Sequence, residues 1–148
     1  MRLLSRLSLR ESDGFTLVEL TVVVVIIGVL TAFAVPRFMD SVERARAAEA
    51  YNYLATVRTA QDRYRALHGT YADAVAKLET KIPEPAYFTI GAIAVPLAAS
   101  DLTTGWELAL TRADASSGYG TYSVIFNQEG FDKTDSTIPD VVNPFRAP

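Results

Sequence analysis

Glu19 is the residue whose surroundings most need a chemical explanation, because it is the only charged residue between Phe15 and Pro36. A carboxylate within a membrane costs on the order of 2.5 to 3.5 kcal/mol at the bilayer centre and less near an interface, so such a group needs a partner. We expect no such partner within this apolar stretch. Glu19 is therefore predicted to pair with a positive charge from outside it.

The remaining composition argues against catalysis. The 148 residues include no cysteine and one histidine, His68, so disulfides, thiolate sites and paired-imidazole metal sites cannot be built. The sequence also lacks a phosphate-binding glycine loop, a nucleophile elbow and a dinucleotide fingerprint. We predict that the protein is not an enzyme and needs no cofactor, and that His68 complements a helix dipole at a helix end.

The charge balance disfavours a broad nucleic-acid surface. The net charge is −3, whereas binding to phosphate backbones requires clustered lysine and arginine. Arg58, Arg63 and Arg65 form a small basic set, but Asp62 lies among them and weakens its field. Nucleic acid is therefore an unlikely partner on this evidence, and DNA affinity is expected to be weak.

The stretch around Glu19 has the length of a membrane span. As a helix, the 22 residues of 15–36 reach roughly 33 Å, which matches the hydrocarbon core of a bilayer. Three arginines precede the span and favour a single-pass, N-in orientation: Arg2, Arg6 and Arg10. A cleaved secretory signal peptide is one alternative, which Glu19 disfavours, and an uncleaved anchor is another.

The run from Gly14 to Pro36, GFTLVELTVVVVIIGVLTAFAVP, closely resembles the start of type IV pilins and of the pseudopilins of type II secretion systems. The resemblance implies that a membrane-embedded prepilin peptidase cuts between Gly14 and Phe15 and methylates the new amino terminus. It also implies that Glu19 faces the terminal amine of a neighbouring subunit and that Pro36 is the family's helix-loosening proline. Asp13 departs from the pattern, since many relatives have a basic residue there.

Elementary electrostatics supports the same pairing. Cleavage after Gly14 creates an α-amine with a pKa near 7.7 to 8.0, which is a cation at the edge of an apolar helix bundle. In a staggered stack the amine of one chain can meet Glu19 of another, and an unpaired buried charge commonly costs about 3 to 5 kcal/mol. The alternative is that Glu19 reaches the lipid headgroups. Gly28 and Pro36 both weaken the helix, which predicts local melting as subunits leave the bilayer.

The helical pattern continues after the apolar span, with apolar residues at steps of three and four: Ala50, Tyr53, Val57, Ala60, Tyr64 and Leu67. This stripe predicts one helix from about Phe15 to His68 that buries one face against a sheet, with Gly69 ending it. Opposite charges at helical spacing are predicted to mark the solvated side: Asp40 with Arg44, Glu43 with Arg46, and Asp62 with Arg65.

The carboxyl-terminal half predicts a small antiparallel sheet. A turn and short helix are expected over 69–79, followed by strands over 87–95, 106–111 and 119–127, with a hairpin loop over 112–118. The predicted class is α+β, a long amino-terminal helix packed on a small antiparallel sheet, which is the pilin fold. The predicted divisions are a cleaved leader (1–14), a hydrophobic transmembrane and assembly helix (15–41) and a globular head (42–148).

Four carboxylates in the turn-rich tail are weak candidates for calcium ligands: Glu129, Asp132, Asp135 and Asp140. Some major pseudopilins hold calcium in this region, but the spacing matches no calcium loop. Family pilins often close this region with a disulfide, so a chain without cysteine must secure its tail by other contacts.

These features together predict a structural subunit of a type IV pilus-like filament. The expected partners are copies of itself, the prepilin peptidase, an inner-membrane assembly platform and, before assembly, membrane lipid. The precursor is expected in the inner membrane and the product in an extracellular pilus. The alternatives are a major pseudopilin in a periplasmic pseudopilus and a minor pilin that binds DNA or a surface.

Overall fold

The computed structural model describes residues 14–79, 83–115 and 118–145. The chain divides into two compact units, Met1–Pro36 and Arg37–Pro148, and we call the second unit the head. Most of the predicted leader, residues 1–13, lies outside the described residues, as do Ser116 and Ser117 of the predicted hairpin loop. The predicted divisions at residues 14 and 41 stay predictions.

A single helix, α1, extends over Leu17–His68 and confirms the long helix expected from the sequence. Pro36 lies inside this helix although proline has no N–H to donate to the carbonyl one turn earlier. Within the described ranges, α1 is the one helix long and apolar enough to cross a membrane. The apolar side chains of its first part are exposed in the isolated chain, Phe15 by 83% and Leu30 by 63%.

The predicted apolar stripe is correct over most of its length. Ala50, Tyr53, Val57 and Ala60 are buried in the core of the head, whereas Leu67 is 76% exposed, so its predicted burial was wrong. The physical reason is that the chain turns back at Gly69 and contacts α1 nearly two turns before Leu67, at Gln61. The side-chain amide of Gln61 there donates to the carbonyl of Ala72 at 3.0 Å and accepts from its N–H at 2.8 Å.

Four antiparallel strands form the sheet in the order β1-β2-β3-β4, which confirms the α+β class. Their bounds are β1 Thr89–Ile90, β2 Glu107–Ala115, β3 Gly120–Asn127 and β4 Gly130–Phe131. Strands β2 and β3 pair Leu108 with Phe126 and Leu110 with Val124. These side chains point towards α1 and are buried with Trp106 and Tyr122. The alternation of apolar residues in both strands therefore has the expected cause, which is burial of one face.

Several predicted boundaries differ from the structure. The first predicted strand is reduced to β1 and one isolated bridge between Ala94 and Glu107, and the short helix is a single 3₁₀ turn over Val75–Lys77. Strand β2 continues through Ala115, so Arg112 belongs to the sheet and not to the hairpin loop. Strand β4 was not predicted, because two residues are too few to show a period.

The tail is held against α1 by hydrogen bonds and aromatic packing. The hydroxyl of Tyr51 donates to Oδ1 of Asn143 at 3.0 Å, and the same oxygen accepts the N–H of Phe145 at 2.9 Å. The Tyr51 ring also packs on Phe145, with ring centroids 4.8 Å apart. Arg44 donates to the carbonyl of Val141 at 2.6 Å. These contacts close the tail in a chain that has no cysteine.

We expect Tyr51→Phe to lower the free energy of unfolding by about 1 kcal/mol, because it removes one buried hydrogen bond and keeps the ring. Burial raises the pKa of the Tyr51 hydroxyl, so this group stays a donor at neutral pH. Urea unfolding in detergent micelles, followed by the fluorescence of Trp106, measures the change. Tyr64→Phe is the matched control, since Tyr64 is only half-buried. Equal losses from both variants would contradict the role given to Asn143.

Candidate functional site

The beginning of α1 forms a capping box around Glu19. The backbone N–H and the hydroxyl of Thr16 donate to Oε2 of Glu19 at 2.9 and 2.7 Å, and the N–H of Glu19 donates back to the Thr16 hydroxyl at 3.2 Å. Reciprocal bonds between the cap residue and the third helical residue satisfy two donors that a helix start would otherwise leave free. The helix therefore begins directly after the predicted cleavage point.

The expectation that Glu19 has no partner within its own stretch was therefore wrong. Thr16 is an uncharged partner, so it satisfies one carboxylate oxygen and leaves the negative charge uncompensated. The sequence contained the signal, because a threonine three residues before a glutamate at the start of an apolar run is typical of this motif. Chemically, the site presents one exposed carboxylate beside the bond between Gly14 and Phe15.

Within residues 14–36, Glu19 is the only ionisable side chain, and the apolar side chains around it are exposed on every face. An exposed apolar surface that surrounds a helix is compatible with lipid or with the equivalent helices of other chains. Gly28 belongs to this surface, and a side chain there would meet no atom of the described chain within 4 Å. Local melting at Gly28 and Pro36 stays a prediction.

A buried ionic cluster fixes the sheet to α1. Glu43, which is fully buried, accepts from Nε of Arg112 at 2.8 Å, from the Tyr122 hydroxyl at 2.9 Å and from Arg46 at 3.1 Å. Burial raises the pKa of Glu43, but the hydrogen bonds from Arg112 and Tyr122 and the charge of Arg112 outweigh it, so the pKa lies below its ordinary value.

This cluster corrects the prediction that the charges on this part of α1 mark a solvated side. The predicted pair of Glu43 with Arg46 forms, but its carboxylate is inside the head. Asp40 accepts a hydrogen bond from Tyr119 and Arg44 binds the tail, so each interacts with another element. The buried partner Arg112 could not be predicted, because it is 69 residues away from Glu43.

The four tail carboxylates do not form a group that could hold a metal ion, and no such group of three ligands occurs among the described residues. Asp132 instead closes its own turn, since Oδ1 accepts the N–H groups of Thr134 at 2.9 Å and Asp135 at 3.2 Å. Oδ2 of Asp132 accepts from Asn127 at 3.1 Å. Asp132 is thus explained as a turn residue. Calcium binding by Glu129, Asp132, Asp135 and Asp140 stays a prediction that would require an ion to bring these side chains together.

The small basic set makes contacts within the head. Arg58 donates to the carbonyl of Gln128 at 3.0 Å, and Arg65 donates to the Tyr71 hydroxyl at 3.0 Å. The ring of His68 stacks on Tyr64 with centroids 4.0 Å apart, and its Nδ1 lies 3.0 Å from the Tyr64 carbonyl. These contacts give Arg58, Arg65 and His68 structural roles at the end of α1.

Comparison with known proteins supports the interpretation of the amino-terminal site. Residues 9–35 match the family described as the prokaryotic N-terminal methylation motif. The chain is 53% identical over 50 residues to the type IV narrow pilus major component of Thermus thermophilus, which covers 34% of this chain and 43% of the relative. It is 34% identical over 76 residues to the type II secretion system core protein G of Pseudomonas aeruginosa, covering 51% and 54%.

A third relative is the type IV major pilin protein of Myxococcus xanthus, with 42% identity over 63 residues, 43% of this chain and 29% of the relative. The chain spans about half the length of the curated relatives it matches, or less. All three relatives are named as components of pili or of a secretion system, and none of these names describes an enzyme.

Proposed function

We propose that this chain, a member of the type IV pilin and type II secretion pseudopilin family, is a structural subunit of a type IV pilus-like filament. The observation that carries the proposal is a single carboxylate, Glu19, in an apolar helix that is exposed on all faces and begins beside the bond between Gly14 and Phe15. This arrangement suits a subunit that is held in lipid before assembly and buried among its copies afterwards.

The proposed sequence of events begins with the precursor in the inner membrane, single-pass, with its basic leader in the cytoplasm. A prepilin peptidase hydrolyses the peptide bond between Gly14 and Phe15 and then transfers a methyl group from a methyl-donor cosubstrate to the new amine of Phe15, which loses one proton in the exchange. An inner-membrane assembly platform then adds the subunit to a fibre. In the fibre the methylated amine, which remains a cation, pairs with Glu19 of a neighbouring copy and so sets the stagger between chains.

Mass spectrometry of the mature chain tests this processing. We expect an amino-terminal peptide that starts at Phe15 and carries one additional methyl group, because the proposed peptidase cuts after Gly14 and methylates the new amine. The same chain expressed without the peptidase is the control and is expected to keep its leader. A mature peptide that begins at Met1 would contradict the proposal and would support an uncleaved anchor.

A major pseudopilin of a type II secretion system is the second candidate. Its support is the similarity to core protein G, which extends over a longer stretch of this chain than the similarity to the Thermus pilus component. Deletion of the gene discriminates the two candidates. Loss of surface fibres labelled by an antibody against the head supports the pilus, whereas loss of exoprotein secretion without loss of surface fibres supports the pseudopilus.

A further inference from the structure

The head has two ends, which are fixed by hydrogen bonds to α1. At one end, the carbonyl of Leu102 accepts the N–H of Tyr71 at 2.8 Å, just after α1 terminates. At the other end, Asp40 accepts from Tyr119 and Arg44 holds the tail at Val141. Residues 40 and 68, both within α1, are about 42 Å apart along the helix. We call these the upper end and the lower end of the head.

The upper end presents an apolar loop, residues 91–105, which we call the tip loop. Leu97 is fully exposed and Val95 is 41% exposed, and Ala92, Ala94 and Ala98 beside them are also exposed. The loop is held in place, because Ala94 exchanges two hydrogen bonds with Glu107 at 2.8 and 2.9 Å. A fixed group of five exposed apolar residues forms a patch and is not a scatter of single residues.

The lower end also exposes large apolar side chains. Phe38 is 69% exposed, Val141 41% and Met39 37%. Asp101 is the only charged residue in the tip loop. The lower end carries charges of both signs, with Arg37 and Arg44 exposed beside Asp40 and Asp140, so it does not repel a tip loop that is nearly uncharged.

The size of the tip loop indicates which partner could cover it. Stable interfaces between freely diffusing proteins bury about 1,200 to 2,000 Å², which is far more than five small or medium side chains supply. Such a patch adds affinity only where another contact already tethers the partner. The amino-terminal helix supplies this tether between copies of the same chain in the proposed filament, so the partner that fits is a second copy.

We infer that the tip loop of one subunit, centred on Leu97, packs against the lower end of the head of another subunit at Phe38 and Val141. The inference rests on the proposed filament and adds a second, head-to-head contact to it. Because the two surfaces are different and lie at opposite ends of one head, the contact is heterologous and repeats without closing. It therefore reinforces an open fibre and does not produce a closed dimer.

Cysteine cross-linking tests the contact without background, since the chain has no cysteine of its own. Fibres of the full chain carrying Leu97→Cys and Phe38→Cys are expected to give a ladder of covalent multimers on mild oxidation, because each copy contributes both halves of the contact. The matched control pairs Leu97→Cys with Thr134→Cys, an exposed residue beyond β4. This control and both single variants are expected to give no ladder.

Fibre formation is scored separately by electron microscopy, so the two proposals can fail independently. If the Leu97→Cys, Phe38→Cys variant forms fibres but gives no covalent multimers on oxidation, the head contact is overturned and the proposed filament is not affected. Absence of fibres from the unmodified chain would overturn both.

Leu97→Asp provides a second test that does not depend on cysteine chemistry. It is expected to lower fibre yield about tenfold, because each subunit loses the contact of one buried leucine. The fluorescence of Trp106 is expected to show that the head itself is unchanged. Thr134→Asp, which adds the same charge elsewhere, is expected to have no effect. A normal yield from Leu97→Asp would mean that solvent or a different partner covers the tip loop.

Discussion

Replacing Glu19 with glutamine is expected to leave cleavage after Gly14 intact and to lower fibre yield by at least about a hundredfold, because one buried charge per subunit is left unpaired at a cost of about 3 kcal/mol or more. Glutamine can still accept the hydrogen bonds of Thr16, so the capping box survives, but it carries no charge. The methylated amine of the neighbouring copy would then be a cation in an apolar bundle without a counter-ion. Sheared and sedimented fibre measures the yield, and mass spectrometry confirms that the chain begins at Phe15.

Thr16→Val separates the two roles of Glu19. This variant removes the hydroxyl that donates to Oε2 of Glu19 at 2.7 Å and keeps the carboxylate, so we expect a fibre yield close to that of the unmodified chain. A loss as large as that of Glu19→Gln would show that assembly requires the helix cap formed by Thr16 as well as the charge of Glu19. A normal yield from Glu19→Gln would refute the pairing of Glu19 with the neighbouring amine.

The features predicted correctly from the sequence are those that arise from local patterns. The apolar span, the end of α1 at His68 and Gly69, and the pairing strands β2 and β3 each leave a periodic or punctuating signal in adjacent residues. The left-handed φ of 77° at Gly69 is such a case, because glycine adopts this conformation without a steric cost. Local rules were sufficient wherever a segment's environment is set by its neighbours in the chain.

The features that were missed depend on distant contacts or on very short elements. The burial of Glu43 follows from Arg112 and Tyr122, which reach it only after β2 and β3 have packed on α1. The exposure of Leu67 depends on where the chain returns after Gly69, which the helical period does not encode. At the amino-terminal site, the capping box is a local pattern, since Thr16 lies three residues before Glu19 at the start of an apolar run, but a prediction based on charge alone does not include this hydrogen bond.

The buried cluster around Glu43 leads to the second large prediction, which concerns the stability of the head. Arg112→Met is expected to lower the free energy of unfolding by about 3 kcal/mol, the lower end of the cost of breaking a buried ion pair, because the carboxylate of Glu43 then keeps only the Tyr122 hydroxyl and the partly exposed Arg46 as partners. The side chains of the two residues are only 1% and 8% exposed, so water cannot replace the lost bonds. Urea unfolding monitored through Trp106 measures the change, as for Tyr51→Phe.

The control for Arg112→Met is Lys77→Met, which breaks a salt bridge to Asp73 whose side chains are 53% and 56% exposed; water screens that pair, and no measurable loss is expected.

The double variant Glu43→Leu, Arg112→Met removes both buried charges and is expected to be more stable than Arg112→Met alone. Because the pKa of Glu43 is lowered in the folded head, its contribution is fully present above the unfolded value near 4.3 and decreases as the pH falls through the folded pKa. The double variant should lack this acid-dependent component. A double variant that is less stable than Arg112→Met would contradict the account, because the cost would then come from lost packing and not from an unpaired charge.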